Sequence, residues 1–314
     1  MRGDASLRRF FRVELVEGGT LVAMVYGEPL DPVTHPQLVL GRYFERIGFP
    51  VPRLRGSFPG NGLLLYEDLG DRLLEEIALG AFAGEPPVVG PGEVAAALYR
   101  EAARLIAFLQ GPATRDLPQD SPAARAALDR DRFLFELGFF REHYIERFRG
   151  FRLAPGERAD LDGFFESLAA RAAAPPWVLC HRDYHSRNLM LKDGKLRVTD
   201  FQDARLGPAA YDLASLLRDS YVSLPAALRS AILEEYIAGP CESMGLRNVR
   251  ETFGRVALQR NLKALGTFGF QVSSRGQDYY RPAIPRTWRH VFEGLESLPE
   301  YGGVKALLER IARL

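Results

Sequence analysis

Apolar, β-branched and aromatic residues flank a glycine break at Glu17-Gly18-Gly19, a pattern that predicts two strands, Leu7–Leu15 and Thr20–Tyr26, joined as a hairpin. The stretch from Pro36 to Gly48 then carries apolar residues at helical spacing and closes on a glycine. Val51–Leu54 and Gly62–Tyr66 read as further strands, so the chain opens as a small sheet with one helix. After Gly70 the period changes. Gly92–Gln110, Ala123–Phe148, Glu157–Ala173, Pro208–Val222, Ala226–Ala238, Arg250–Phe268 and Lys305–Leu314 all carry helical periodicity. That run is interrupted between Trp177 and Phe201 by short apolar strands and polar turns, and any chemistry is expected in the interruption. The overall expectation is an α+β, bilobal molecule. A small antiparallel-sheet lobe spans residues 1–68 and a larger, mostly helical lobe spans 69–314.

A length of 314 residues with 46% apolar and 26% charged side chains is ordinary for a globular chain of about two domains. No stretch approaches the roughly 18–20 uninterrupted apolar residues of a membrane span, and Met1–Arg9 lacks the apolar centre of a signal peptide. A cytoplasmic location without membrane contact is therefore expected. The 41 basic and 40 acidic residues nearly cancel, which removes the positive field that would favour nucleic acid and points to a small-molecule partner. Cys180 and Cys241 stand far apart with no Cys-x-x-Cys, so neither a disulfide framework nor a zinc ribbon is indicated. All but four of the basic residues are arginine, and each of the four lysines (Lys192, Lys195, Lys263, Lys305) lies after residue 190.

Within the interruption, the strand-like Trp177–Cys180 runs into His181-Arg182-Asp183-Tyr184-His185-Ser186-Arg187-Asn188. Two apolar runs then flank Asp193-Gly194, a strong hairpin signal, and are followed by Asp200-Phe201. Centring the turn on Asp193-Gly194 pairs Leu191 with Leu196 and Asn188 with Thr199, so Asn188 and Asp200 finish at the same open end. Strict pleating would point these two side chains to opposite faces, which requires that one of them lie just past the ladder. Phosphoryl transfer needs a carboxylate to orient or deprotonate an attacking hydroxyl and oxygen ligands to hold magnesium against phosphates. His-Arg-Asp, four residues, Asn, and Asp-Phe twelve positions later supply both.

These segments resemble the catalytic and metal-binding loops of protein-kinase-like folds. The continuation Asp200-Phe201-Gln202-Asp203-Ala204, Gly207-Pro208, Tyr211-Asp212-Leu213 and Leu216-Leu217-Arg218-Asp219 resembles the aminoglycoside phosphotransferase/choline kinase branch. Together with Leu64–Asp71 and Leu258–Gly266, it is similar to the N-acetylmuramate/N-acetylglucosamine anomeric kinases of cell-wall recycling. The resemblance implies ATP and magnesium as cofactors and an amino sugar as acceptor. Asp183 would be the base, and Asn188 and Asp200 would hold the metal ion. Tyr184, His185 and Asp203 are candidates for substrate contact, while His181 shapes the loop and Asp212 braces it. Arg187 is open between phosphate neutralisation and a surface ion pair. Adenine would be held by the main chain of Glu67-Asp68-Leu69, with Ser6 a further nucleotide contact in the small-residue stretch before the first strand.

The resemblance has a gap. Protein kinases place a phosphate-holding lysine on the third strand, and no lysine precedes Lys192 here; Arg8, Arg9 and Arg12 are candidate substitutes. Three rival readings stand beside it. The alternation His181-x-Asp183-x-His185 offers ligands for a metallohydrolase, the missing lysine suits an inactive binding module, and a choline, homoserine or aminoglycoside acceptor would use the same three catalytic residues. Cationic acceptors call for an acidic, aromatic pocket, whereas residues 123–152 are rich in arginine, which better suits a neutral or anionic sugar. The oligomeric state is not written in the sequence.

Overall fold

Gly18 and Gly19, both at positive φ (92° and 89°), turn the chain between β1 (Arg9–Glu14) and β2 (Thr20–Val25) in a computed structural model that describes residues 8–83 and 90–314. With β3 (Leu54–Phe58) and β4 (Leu63–Glu67) these strands form an antiparallel sheet in the order β1-β2-β4-β3. The strand expected at Val51–Leu54 begins only at Leu54. Pro52 has no N–H to offer a ladder, and the register shifts between Leu54 and Gly56. Helix α1 (Pro36–Arg46) starts on its proline and ends before Gly48, whose φ is 74°. Leu38 on α1 packs with Met24, Leu64 and Tyr66 beneath the sheet, while Leu40 and Phe44 join the main core. Phe44 meets Phe201 edge-on at 5.6 Å, so α1 ties the sheet to the segment that follows Asp200.

The remainder is mostly helical. Helices α2 (Leu74–Ala81) and α3 (Pro91–Phe108) follow the sheet, and α4 (Arg130–Phe139) widens without a break into a π-type segment, Phe140–Phe148. The single helix expected over Ala123–Phe148 is thus shorter. The Leu128 N–H donates to the Leu206 carbonyl (2.7 Å), and Asp129 caps α4 by accepting from the Arg132 N–H (2.8 Å). Helix α5 (Pro155–Ala172) leads to β5 (Trp177–Cys180), which pairs with β8 (Arg205–Pro208). Between them β6 (Leu189–Lys192) and β7 (Lys195–Val198) form the hairpin in the expected register, with Leu191 opposite Leu196. The helix expected over Pro208–Val222 shortens to α6 (Tyr211–Leu217), because its first residues belong to β8. Then come α7 (Ala226–Tyr236), the single turn α8 (Glu242–Met244), the long α9 (Val249–Arg275), α10 (Ile284–Ser297) and α11 (Lys305–Arg313). Helices α2 and α10 go beyond the elements the pattern predicts. No described helix is long and apolar enough to cross a membrane.

Helix α9 crosses the π-type segment at very short range. A Cβ on Gly266 would stand 2.8 Å from the Phe140 Cα, and one on Gly269 would stand 2.7 Å from the His143 carbonyl oxygen. Only glycine permits this approach, and it seats the inner face of α9 against the loop between β5 and β6.

Candidate active site

The loop His181–Asn188 is held in place from below by two aspartates. Asp212, fully buried at the start of α6, accepts from the main-chain N–H groups of His181 (2.6 Å) and Arg182 (3.0 Å), and burial pushes its carboxyl above the usual range. Asp219, just past α6, accepts from both the N–H (2.9 Å) and the hydroxyl (2.5 Å) of Ser186. Nε2 of His181 lies 2.9 Å from the Thr199 carbonyl, which can only accept, so the ring is protonated on that nitrogen and ties the loop to the hairpin. This role fits the loop-shaping part expected of His181, which is 1% exposed and is not part of the cleft lining. Arg182 adopts φ 82°, a conformation that costs a non-glycine residue about 1–3 kcal/mol and that the two Asp212 bonds hold in place.

Asp183, Asn188 and Asp200 line one cleft of about 1570 Å³ between the sheet and the helices. The pleating conflict resolves at Asp200. The ladder ends at Leu189 opposite Val198, the Thr199 N–H still donates to the Asn188 carbonyl (2.9 Å), and Asp200 then turns with φ 61°. The Asn188 side-chain NH2 donates to the Asp183 carbonyl (2.8 Å), which leaves its Oδ1 as the atom able to ligate a metal ion. Asn188 and Asp200 offer hard oxygen donors only, the set magnesium takes when phosphates and water complete its shell. Among the described residues no cluster of three His, Cys, Asp or Glu side chains could form an all-protein cage. The two residues therefore fit a nucleotide-bridged magnesium better than a metallohydrolase centre.

Around Asp183 the charge is mostly positive. Partial burial alone would raise its carboxyl, but Lys263, Arg182, Arg260 and His185 outweigh that and hold it well below the usual carboxylate range. Lys263 Nζ donates to Asp183 Oδ1 at 2.9 Å. Arg260 donates to the Arg182 carbonyl (2.6 Å) and lies over the Tyr211 ring. Arg182 faces Glu136 (3.6 Å) and Asp203 (3.3 Å), and Glu136, 4% exposed, also accepts from Gln259 (3.0 Å). Lys263, Arg260 and Glu136 were not among the residues the sequence singles out, although signals exist. Arg260 and Lys263 share one face of α9, three residues apart, and Glu136 interrupts the apolar face formed by Phe133, Leu137 and Phe140.

The other expected site residues divide. His185 and Asp203 line the cleft. Tyr184 does not: it is fully buried, and its hydroxyl donates to the Ala102 carbonyl (3.0 Å). Glu67 and Leu69 line the sheet side of the cleft. In that connector the Glu67 N–H donates to the Arg53 carbonyl (2.9 Å) and Lys192 Nζ donates to the Asp68 carbonyl (2.9 Å). The Leu69 N–H has no hydrogen-bond partner among the described residues, which leaves it open to a ligand. Ser6 lies outside the described residues. Of the three arginines considered for the missing lysine, Arg8 reaches the site and donates to Asp200 Oδ1 (2.8 Å). Arg9 points outward, and Arg12 bridges Asp68 (2.6 Å) and Asp71 (2.8 Å), holding the Asp71 carboxyl below its usual range. Arg187 is not an exposed surface residue, and it lines the cleft. It pairs with Glu75 through two bonds (3.0 and 2.9 Å) and packs on the rings of Tyr221 and Tyr279.

The chain is similar to known proteins at two levels, sequence and fold. Residues 1–250 match the family described as "Phosphotransferase enzyme family" (APH). The chain is 31% identical to an N-acetylmuramate/N-acetylglucosamine kinase of Neisseria meningitidis serogroup B, over 97% of this chain and 87% of that protein. It is 28% identical to a kinase of the same name from Pseudomonas aeruginosa, over 97% and 86%. Among solved structures, an amicoumacin kinase in complex with AMP-PNP, Ca2+ and its antibiotic superposes with a TM-score of 0.62 at 15% identity, covering 93% of this chain and 87% of that one. A choline/ethanolamine kinase family protein from Mesorhizobium loti gives 0.61 at 15% identity, over 96% and 89%. These two likenesses concern the fold, which is protein-kinase-like as the sequence implies.

Proposed function

The chain belongs to the phosphotransferase enzyme family, and on that premise we propose that it uses Mg-ATP to phosphorylate the anomeric hydroxyl of N-acetylmuramate or N-acetylglucosamine in the bacterial cytoplasm. The observation that carries the phosphotransfer reading is the meeting of Asp183, Asn188 and Asp200 on one cleft. The near full-length similarity to kinases named for these two sugars supports the acceptor. We take the lobe boundary at residue 68, so that the Glu67–Leu69 connector would receive the adenine with the Leu69 N–H as its donor. Magnesium held through Asn188 Oδ1 and Asp200 would neutralise phosphate charge. Asp183 would accept a hydrogen bond from the sugar hydroxyl and take its proton as transfer proceeds. A carboxylate this acidic keeps the hydroxyl oriented and accepts the proton late, as a loose phosphoryl transition state requires.

The acceptor end of the cleft supports a neutral or anionic substrate over a cationic one. Its aromatic pair, Tyr221 and Tyr279, already holds a cation, because the Arg187 guanidinium lies 3.5 Å and 4.4 Å from the two ring centres. A quaternary ammonium would have to displace it. Lys263, Arg260 and Arg182 line the same wall and add positive charge near Asp183. Release of ADP, measured with N-acetylmuramate, N-acetylglucosamine, choline and an aminoglycoside in turn, tests the reading. Turnover with either amino sugar and none with the two cationic acceptors is expected; turnover with choline or the aminoglycoside alone contradicts it.

A further inference from the structure

The strand position that usually supplies a phosphate-holding lysine is empty of lysine here, yet a lysine stands beside the candidate base from the opposite side of the cleft. Lys263, on α9, is 15% exposed and lines the cleft. Its ammonium makes one hydrogen bond among the described residues, the 2.9 Å bond to Asp183 Oδ1, and so has two more N–H donors. The neighbouring cations are engaged elsewhere: Arg260 on the Arg182 carbonyl and the Tyr211 ring, Arg182 on Glu136 and Asp203. Burial, with Arg182 and Arg260 nearby, lowers the Lys263 pKa from the ordinary lysine value, while Asp183 and Glu136 work in the opposite direction and favour the ammonium.

Distance then connects this ammonium to the reaction. A hydroxyl hydrogen-bonded to Asp183 at about 2.7 Å attacks a phosphorus about 3–3.5 Å further on. An ammonium 2.9 Å from the same carboxylate, lining the same cleft and with two donors left, can reach toward the equatorial oxygens of the group in flight. We propose that Lys263 binds the transferring phosphoryl group, supplying positive charge from the helical lobe where the strand lysine is missing. The inference rests on the phosphotransfer reading above. In the step it serves, the acceptor oxygen forms a bond to the γ-phosphorus as the bridging P–O bond breaks. The electron pair leaves with ADP, and the hydroxyl proton passes to Asp183. Lys263 remains an ammonium throughout and donates to both partners. Gly266 and Gly269 set its reach, because their close approach to Phe140 and His143 seats α9 against the loop.

The test compares Lys263→Met with the native protein in turnover and in binding of MgADP with and without aluminium fluoride, which completes a planar mimic of the transferring group. Loss of one donor to developing charge is expected to lower kcat by about 10²–10³-fold. MgADP affinity should stay within about threefold of native, while the added tightness from aluminium fluoride falls by at least about tenfold. Lys263→Arg should recover part of both effects. If the apolar side chain prevents folding, Lys263→Gln carries the same comparison. Unchanged kcat, or an equal loss of affinity with and without fluoride, overturns the assignment. A native protein that turns over neither amino sugar would refute the acceptor proposed above, and the fluoride measurement would still decide the role of Lys263.

Discussion

At the scale of single residues, the site is built by groups that occupy one another until a substrate arrives. Arg8 holds Asp200 at 2.8 Å, Lys263 holds Asp183 at 2.9 Å, and Arg187 fills the space between two tyrosines. Adjacent residues face opposite ways here, since Arg8, just before β1, turns into the cleft and Arg9, its first residue, to solvent. If Arg8 also reaches the nucleotide phosphates, Arg8→Met should raise the KM for ATP about tenfold, the worth of one charged hydrogen bond of about 1.5 kcal/mol. Arg9→Met should leave it unchanged, and steady-state kinetics at saturating acceptor checks both. An equal effect of the two substitutions would remove Arg8 from the nucleotide site.

At the scale of elements, α9 is the part whose placement matters most. Gly269→Ala would drive a methyl group to 2.7 Å from the His143 carbonyl, and backbone cannot move aside cheaply. A loss of about 1–3 kcal/mol, the range for overpacking, is expected in denaturant unfolding, with a fall in kcat as Lys263 shifts. Helix α10 is fastened by charge: Glu293 pairs with Arg218 and Arg229, and with His290 beside it its carboxyl sits at about 2. A folded value below the ordinary 4.5 means that the pairing stabilises the native state above about pH 4.5 and fades as pH falls toward 2. Glu293→Gln should therefore cost about 1–2 kcal/mol at pH 7, discounted because the side chain is 32% exposed, and only about a quarter of that near pH 2.5, as urea melts at the two pH values would reveal. The β6–β7 hairpin was legible because Asp193-Gly194 dictates its turn, and the candidate set Asp183, Asn188 and Asp200 because its spacing is local. Lys263, Glu136 and Asp219 were not, since each acts on a loop 33 or more residues away and nothing in a local window records that contact. Tyr184 misled for the complementary reason: the loop's sequence places it beside Asp183, but the backbone sends its ring into the core.

At the scale of the whole molecule, the sheet and the helical body meet through α1, where Phe44 packs edge-on against Phe201 next to Asp200. The candidate metal ligand is thus anchored on the junction, and filling the cleft should stabilise the entire chain. MgADP at about 100 times its dissociation constant should add about 2.7 kcal/mol, seen as a rise of about 5–10 °C or less in the thermal midpoint. EDTA or Asp200→Ala should abolish the magnesium-dependent part of that rise; a rise indifferent to both would take Asp200 out of metal binding. The change from sheet to helices was readable from the change of period at Gly70, whereas α10 shows its apolar spacing at Ile284, Trp288, Val291 and Leu295 only once that segment is considered by itself. The central claim is phosphoryl transfer from ATP to the anomeric oxygen of an amino sugar through Asp183. Phosphorus NMR of native protein and Asp183→Asn with Mg-ATP and N-acetylmuramate or N-acetylglucosamine tests it most directly. The account predicts a sugar 1-phosphate resonance from the native protein and a rate about 10²–10⁴-fold lower from the variant. A phosphate on another hydroxyl, no sugar phosphate at all, or an undiminished rate in the variant would contradict it.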